Sequence, residues 1–246
     1  MRPAPQEPLP SPYRPPADAV LYAVGDIHGR SDLLDRLHQF IVRDASQRAA
    51  SRRAIVYLGD YIDRGADSAG VVARLAGSGP PGFERYFLLG NHDSFLLDFL
   101  DGESATADVW LLNGGAATLE SYGAACDPRS SPEALRADLR RALPPEHLAF
   151  YRSLRLVHRE GDILFVHAGL RPGVPLADQT RADMIWIRDE FLKSDSDFGG
   201  LVVHGHSIRP EPVIRANRIG VDTGAWRSGT LTAAVLAGDT VSFLQT

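Results

Sequence analysis

Three times in its first hundred residues the chain runs a short β-rich stretch into a loop of Gly, Asp, Asn and His, and then into a segment of helical period. The first unit is Ala19 to Val24, the loop GDIHG, and a helix over about 31–43 with Leu33, Leu34, Leu37 and Ile41 on one face and Ser31 as N-cap. The second is Ala54 to Leu58, GDYIDRG and a helix from Asp67 to Ala76; the third is Arg85 to Leu89, GNHD and Ser94 to Leu100. Consecutive βα units demand crossover connections, so these strands lie parallel in one sheet. In such sheets binding sites collect beyond the carboxyl ends of the strands, where all three polar loops fall.

The rest of the chain keeps a different rhythm. Between Gly102 and Glu160 no strand pattern is visible, while Ser131 to Arg141 and Glu146 to Leu154 read as helices, so about 102–160 is expected to be a helical insertion beside the site. Strands resume at Asp162 to Val166 before HAG, at Leu201 to Val203 before HGHS, and as alternating runs over Pro212 to Val221 and Thr230 to Leu244, which predicts a second, antiparallel-rich sheet. Seven of the 17 prolines lie in the first sixteen residues, so 1–17 reads as a disordered Pro-rich tail preceding one domain over 18–246.

Composition narrows the function classes. The 246 residues carry 26 Lys plus Arg against 31 Asp plus Glu, and a formal net charge of −5 argues against nucleic-acid or anionic-membrane partners. One cysteine, Cys126, excludes a disulfide framework within the chain and a thiolate metal cluster, and fits a reducing compartment. No apolar run approaches the length of a membrane span and the N-terminus lacks an apolar signal region, so a cytoplasmic location is expected.

The histidines carry the chemistry. Of eight, five (His28, His92, His167, His204, His206) stand in polar loops directly after β-type runs, and Asp26, Asp60, Asp63, Asn91 and Asp93 keep them company. Carboxylate, imidazole and amide oxygen without thiolate suit divalent manganese, iron or zinc. His38, His147 and His158 lie outside these loops and read as surface or packing residues, and Asp222 as a residue that stabilises a turn or a hydrogen bond.

The order GDIHG, GDYIDRG, GNHD, HAG, GHS, together with WLLNGGA at 110–116, WIR at 186–188 and VDTGAW with GTL over 221–231, resembles the phosphoprotein phosphatase branch of the calcineurin-like metallophosphoesterases, particularly its phage-type and bacterial members. The resemblance implies an αββα sandwich of two mixed sheets flanked by helices. It also implies two divalent ions, one on Asp26, His28 and Asp60, the other on Asp60, Asn91, His167 and His206, with Asp60 shared and a bridging hydroxide attacking phosphorus directly. His92 matches the residue that protonates the leaving group and Asp63 its orienter; Arg64, Arg188 and Asn91 match groups that hold the phosphate. Alignment with the GH motif favours His206 over His204 as ligand, leaving His204 behind it or facing substrate.

The family offers two readings of the reaction. Ile208 stands where general phosphodiesterases carry a further histidine. Asp63 and Ser207 differ from the alanine and tryptophan typical of symmetrical diadenosine tetraphosphate hydrolases, and this favours a phosphomonoesterase acting on phosphoserine or phosphothreonine in proteins, or on a phosphorylated small molecule. The segment DTGAWRSGTL resembles the dinucleoside polyphosphate hydrolases as well, and that activity is the alternative.

Overall fold

The computed structural model describes residues 7–102, 105–124 and 130–246, without the side chains of 105 and 106; Cys126 lies outside the described residues. Two sheets face each other. The first runs, edge to edge, β1 (Glu7–Pro8), β11 (Thr240–Gln245), β10 (Thr232–Ala237), β2 (Ala19–Val24), β3 (Arg52–Tyr57) and β4 (Glu84–Phe87). The second runs β5 (Val157–Glu160), β6 (Ile163–Val166), β7 (Leu201–His204), β9 (Arg218–Gly220) and β8 (Val213–Ile214). Strands β2, β3 and β4 are parallel, as are β6, β7 and β9.

The layering follows from the period-two alternation of side chains. In β2, Val20, Tyr22 and Val24 point into a core shared with helices α1 (Ser31–Ser46), α2 (Ser68–Ala76) and α3 (Asn91–Asp101), through Leu34, Leu37, Val71, Val72 and Leu96 among others. Leu21 and Ala23 point the other way and meet Ala54, Val56, Phe165, Val203 and Ile219 between the sheets. Leu164, Val166 and Val202, on the outer face of the second sheet, pack on Met184, Ile185 and Phe191. A strand covered on both faces needs apolar residues at every position, and this is why AVLYAV and ILFV are continuous runs. The four layers are helix, sheet, sheet, helix, as expected.

Four details depart from the sequence reading. The runs over 230–244 do not join the second sheet: β10 and β11 form a hairpin around Gly238 and Asp239, and β10 pairs antiparallel with β2, completing the first sheet. Alternation fixes a strand's faces but not the sheet in which it pairs. The span 102–160 is helical only to Arg152, because β5 forms an edge strand from the polar sequence VHRE, and polar residues on an edge strand hide the usual signal. Residues 7–17 pack on the domain instead of standing apart: Glu7 and Pro8 pair with Val241 and Thr240, Leu9 is buried, and the Tyr13 hydroxyl donates to Asp197. Ser31 is the first residue of α1 rather than its cap, and its hydroxyl bonds to Asp67, which caps α2 by accepting from the Gly70 N–H at 2.9 Å.

Candidate metal centre and active site

Every parallel strand of both sheets ends at one place. Asp26 and His28 follow β2, Asp60 and Asp63 follow β3, Asn91 and His92 open α3 just after β4, His167 follows β6, His206 follows β7 and Asp222 follows β9. The loops are laced by backbone bonds: the amides of Ile27 and His28 both donate to the Asp60 carbonyl at 3.1 and 2.9 Å, and the Gly205 amide donates to the His167 carbonyl at 2.8 Å. The non-glycine residues with positive φ among those described are His28, Asp60, Asp63, Arg64 and His206, all of them here, with φ between 45° and 71°. Each such conformation costs about 1–3 kcal/mol and persists because its surroundings over-determine it. Gly59 is obligatory in this setting: its φ is +102°, and a Cβ there would stand 2.5 Å from the Gly90 nitrogen.

Three levels of contact fix the donor atoms. His28 Nδ1 lies 2.7 Å from the Ile62 carbonyl and His167 Nδ1 lies 2.8 Å from the Leu58 carbonyl. A carbonyl only accepts, so both Nδ1 atoms carry the proton and both Nε2 atoms present a lone pair. His167 Nε2 nevertheless stands 3.0 Å from Asn91 Oδ1 and 3.5 Å from Asp60 Oδ1, and His28 Nε2 stands 3.5 Å from Asp60 Oδ2. His206 Nε2 is buried with no hydrogen-bond partner, while its backbone N–H donates to both oxygens of Asp26 at 3.1 Å. The His92 backbone N–H reaches Asp60 Oδ1 at 2.9 Å and Arg64 reaches His28 Nε2. The lone pairs of His167 Nε2, Asn91 Oδ1 and Asp60 still face one another and His206 Nε2 has no donor, an arrangement that a cation resolves. The donor atoms of Asp60, His167 and His206 form one compact group, and those of His28, Asp60 and His92 another, sharing Asp60. The residues present fit a pair of hard-to-borderline divalent ions.

Electrostatics point the same way. Asp26, Asp60 and Asp222 are all buried. Burial, then Asp222 and Asp60, push the Asp26 carboxyl well above the usual carboxylate range, and burial pushes Asp222 up to about 6. At Asp60 burial also opposes the charge, but His167, His92, His28 and His206 outweigh it and hold the carboxyl below its ordinary value. Burial draws His28 down to about 3 and lowers His167 and His206 as well, so these rings are neutral donors at pH 7.

His92 has a different environment. Its Nδ1 donates to Asp63 Oδ2 at 2.6 Å, and Asp63 in turn accepts from the Thr118 hydroxyl at 2.6 Å and from the Trp110 indole at 3.0 Å. Burial resists a second proton on this ring, but Asp60 and Asp63 outweigh it and raise its affinity above that of an ordinary histidine. Arg64 spans two imidazoles, with Nη1 2.8 Å from His28 Nε2 and Nη2 2.8 Å from His92 Nε2. Arg188 is exposed at the rim, 3.4 Å from the His206 carbonyl.

The sequence-predicted residues thus converge, with differences of role. His204 belongs to neither donor group: it is buried edge-on against Phe191 at 5.1 Å, with Nδ1 3.0 Å from the Gly205 carbonyl. Asp222 accepts from the Gly224 N–H at 2.9 Å, and its charge acts on the Asp26 carboxyl. His38 bonds to the Tyr57 hydroxyl, His147 to the Tyr122 hydroxyl, and His158 stacks on Tyr86. The sequence reading assigned no role to three supports. Asp93 accepts from the N–H groups of Asp60, Gly90 and Tyr61, and Trp110 and Thr118 clamp Asp63. Trp110 was visible as the first residue of WLLNGGA, whereas nothing local marks Thr118 as facing Asp63 from 55 residues away.

A family profile described as calcineurin-like phosphoesterase matches residues 19–227. The chain belongs to the calcineurin-like phosphoesterase family and is a metallophosphoesterase. It is 36% identical over 156 residues to a symmetrical bis(5'-nucleosyl)-tetraphosphatase of Acidovorax sp. (strain JS42), a match that takes in 62% of this chain and 45% of that protein. It is 26% identical over 233 residues to the asymmetrical bis(5'-nucleosyl)-tetraphosphatase PrpE of Bacillus subtilis, covering 85% of this chain and 87% of that one. The matches to the symmetrical enzymes therefore span less than half of those proteins' length. A solved structure of a protein proposed to be a diadenosine tetraphosphatase shares the fold, with a TM-score of 0.61 at 23% identity over 96% of this chain and 97% of its own.

Proposed function

We propose that the protein hydrolyses dinucleoside tetraphosphates. The observation that carries this reading is the alignment with the asymmetrical tetraphosphatase PrpE over 85% of this chain and 87% of that one. It displaces the phosphoprotein reading that Asp63 and Ser207 favoured, since the relatives matched over most of the chain are named for dinucleotide substrates. Asp63 does hold His92, and phosphomonoester hydrolysis stays as the second reading on that ground.

In this reading Asp26, His28 and Asp60 would hold one divalent ion and Asp60, Asn91, His167 and His206 the other. Bound there, the ions supply positive charge to the phosphate oxygens and make water nucleophilic near neutral pH. The chain's own residues do the rest. As a new bond forms between water oxygen and phosphorus, the bridging P–O bond on the opposite side breaks, and His92 Nε2 gives a proton to the departing phosphate oxygen. Asp63 fixes the ring through Nδ1 and stabilises its charged form, and Trp110 and Thr118 keep Asp63 in register. Arg64 turns its two N–H groups from the imidazoles to the phosphate oxygens, and Arg188 meets the polyphosphate at the rim.

The test is product analysis on manganese-loaded protein supplied with diadenosine tetraphosphate, with a phosphothreonine peptide in parallel. ATP plus AMP identifies asymmetrical cleavage, and ADP alone identifies symmetrical cleavage. Phosphate release from the peptide with a much higher kcat/KM would replace this reading with the second one.

A further inference from the structure

Large apolar side chains exposed among the described residues are Val42, Val109, Leu112, Trp186 and Trp226. The two tryptophans touch different members of the site. Trp226, 37% exposed in the short helix Ala225–Ser228, lies under the Arg64 guanidinium, whose carbon is 5.4 Å from the ring centre, and Arg64 is the residue that touches His28 and His92. Trp186, 42% exposed at the end of the helix Arg181–Trp186, stands edge-on 6.0 Å from the His206 ring. Its other neighbour is Phe95, at 5.2 Å, which itself lies 6.1 Å from His92. Trp110, by contrast, is fully buried and occupied with Asp63.

An indole offers a large flat apolar ring, and two of them partly exposed beside one polar, cation-binding cleft suit a ligand that carries flat rings next to anionic groups. We propose that Trp186 and Trp226 are stacking platforms for the two nucleobases of a dinucleoside polyphosphate, Trp226 beside Arg64 and Trp186 beside His206. The inference rests on the tetraphosphatase reading and adds to it where the bases go. The chemistry suits both parts of the ligand: hard donors and Arg64 take phosphate, and the exposed indoles take bases of any sequence. Arg64 lies over the Trp226 ring, so the guanidinium that would take phosphate also fixes this indole beside the cleft. Phe95 packs edge to face with Trp186 and limits its rotation.

The experiment uses manganese-loaded full-length protein, with ADP and inorganic tripolyphosphate as probes and indole fluorescence as readout. ADP is expected to quench the exposed tryptophans while tripolyphosphate leaves the emission unchanged. Trp186→Ala should remove part of the quench and weaken ADP about tenfold, within the range of base–aromatic stacking, with tripolyphosphate affinity moving less than twofold. Trp226→Ala, which also loosens Arg64, should weaken ADP clearly more than tripolyphosphate. Trp226→Phe and Trp186→Phe should restore most of the ADP affinity, which a merely structural tryptophan would not do. Equal losses for both probes, or no ADP-specific quench in the wild type, would overturn the proposal. The two readings fail separately. ADP-specific quenching without diadenosine tetraphosphate hydrolysis sinks the tetraphosphatase reading and leaves the base platforms standing; hydrolysis with KM unchanged in both alanine variants sinks the platforms alone.

Discussion

The molecule holds two polar clusters at opposite ends of the same parallel strands. At the entry end of β3, Arg52 joins the sheets: it bonds to Glu84 on β4 at 2.9 Å and to Glu160 on β5 at 2.8 Å, and His158 bonds to Glu160 while stacking on Tyr86. At the exit end, Asp60 gathers Asp26, Asn91 and four imidazoles. The first cluster is closed on itself, since each carboxylate faces a donor and the group is partly exposed. The second is buried and only partly satisfied: Arg64 and the His92 N–H reach two of its atoms, while His167 Nε2 faces Asn91 and Asp60 oxygens and His206 Nε2 has no partner. A cluster that satisfies itself is a clasp, and one that does not is a binding site.

The largest effect that would break this contrast is at Asp60. Asp60→Asn should abolish binding of both ions, read as metal content and as the loss of thermal stabilisation on adding manganese. In the wild type that stabilisation should reach about 2.7 kcal/mol at a hundredfold excess over Kd. Two ions still bound at wild-type affinity would remove Asp60 from the shared position.

Next comes His92→Asn, which should lower kcat by about 10²–10⁴-fold with metal content intact, the usual weight of a positioned proton donor. Unchanged turnover in the metal-replete variant would leave His92 a packing residue. In the closed cluster, Arg52→Met should cost only about 1 kcal/mol in urea unfolding and leave kcat alone, because the bridge is partly exposed and screened. A change in kcat would show that the clasp communicates with the site.

The smallest effect is a pH signature. Arg52 first, then Tyr86, hold the Glu84 carboxyl down to about 2, and Arg52 likewise depresses Glu160. With folded values below the unfolded one near 4.5, their contribution is complete above pH 4.5 and drains away as pH falls toward 2. The stability gap between wild type and Arg52→Met should therefore be constant from pH 5 to 7 and narrow below 4.5, a trend that melting temperatures on both proteins would check. A gap that widens on acidification would mean that Arg52 acts through other partners.

Much of this was legible in the chain. The GDIHG, GDYIDRG and GNHD loops placed Asp26, His28, Asp60, Asp63, Asn91 and His92 because a strand exit is a local event: apolar residues stop, glycine turns the backbone, and the polar residue that follows is exposed to the end of the sheet. HAG and GHS did the same for His167 and His206. Residues two apart on a strand share a face, so the GH motif favoured His206 over His204 without a geometric reason; the left-handed backbone at His206 supplies one, since His206 joins the donor group of Asp60 and His167 while His204 stays on Phe191.

The sequence by itself therefore determined the three βα units, the order of the site loops and which polar side chains stand at the strand ends. Tertiary structure alone decided which sheet β10 and β11 complete, that β5 is an edge strand within a span expected to be helical, and that Trp110 and Thr118 clamp Asp63. The physical reason is range. Periodicity and turn chemistry act over a few residues, whereas strand pairing and the partner of a buried carboxylate are settled by contacts between segments far apart in the chain.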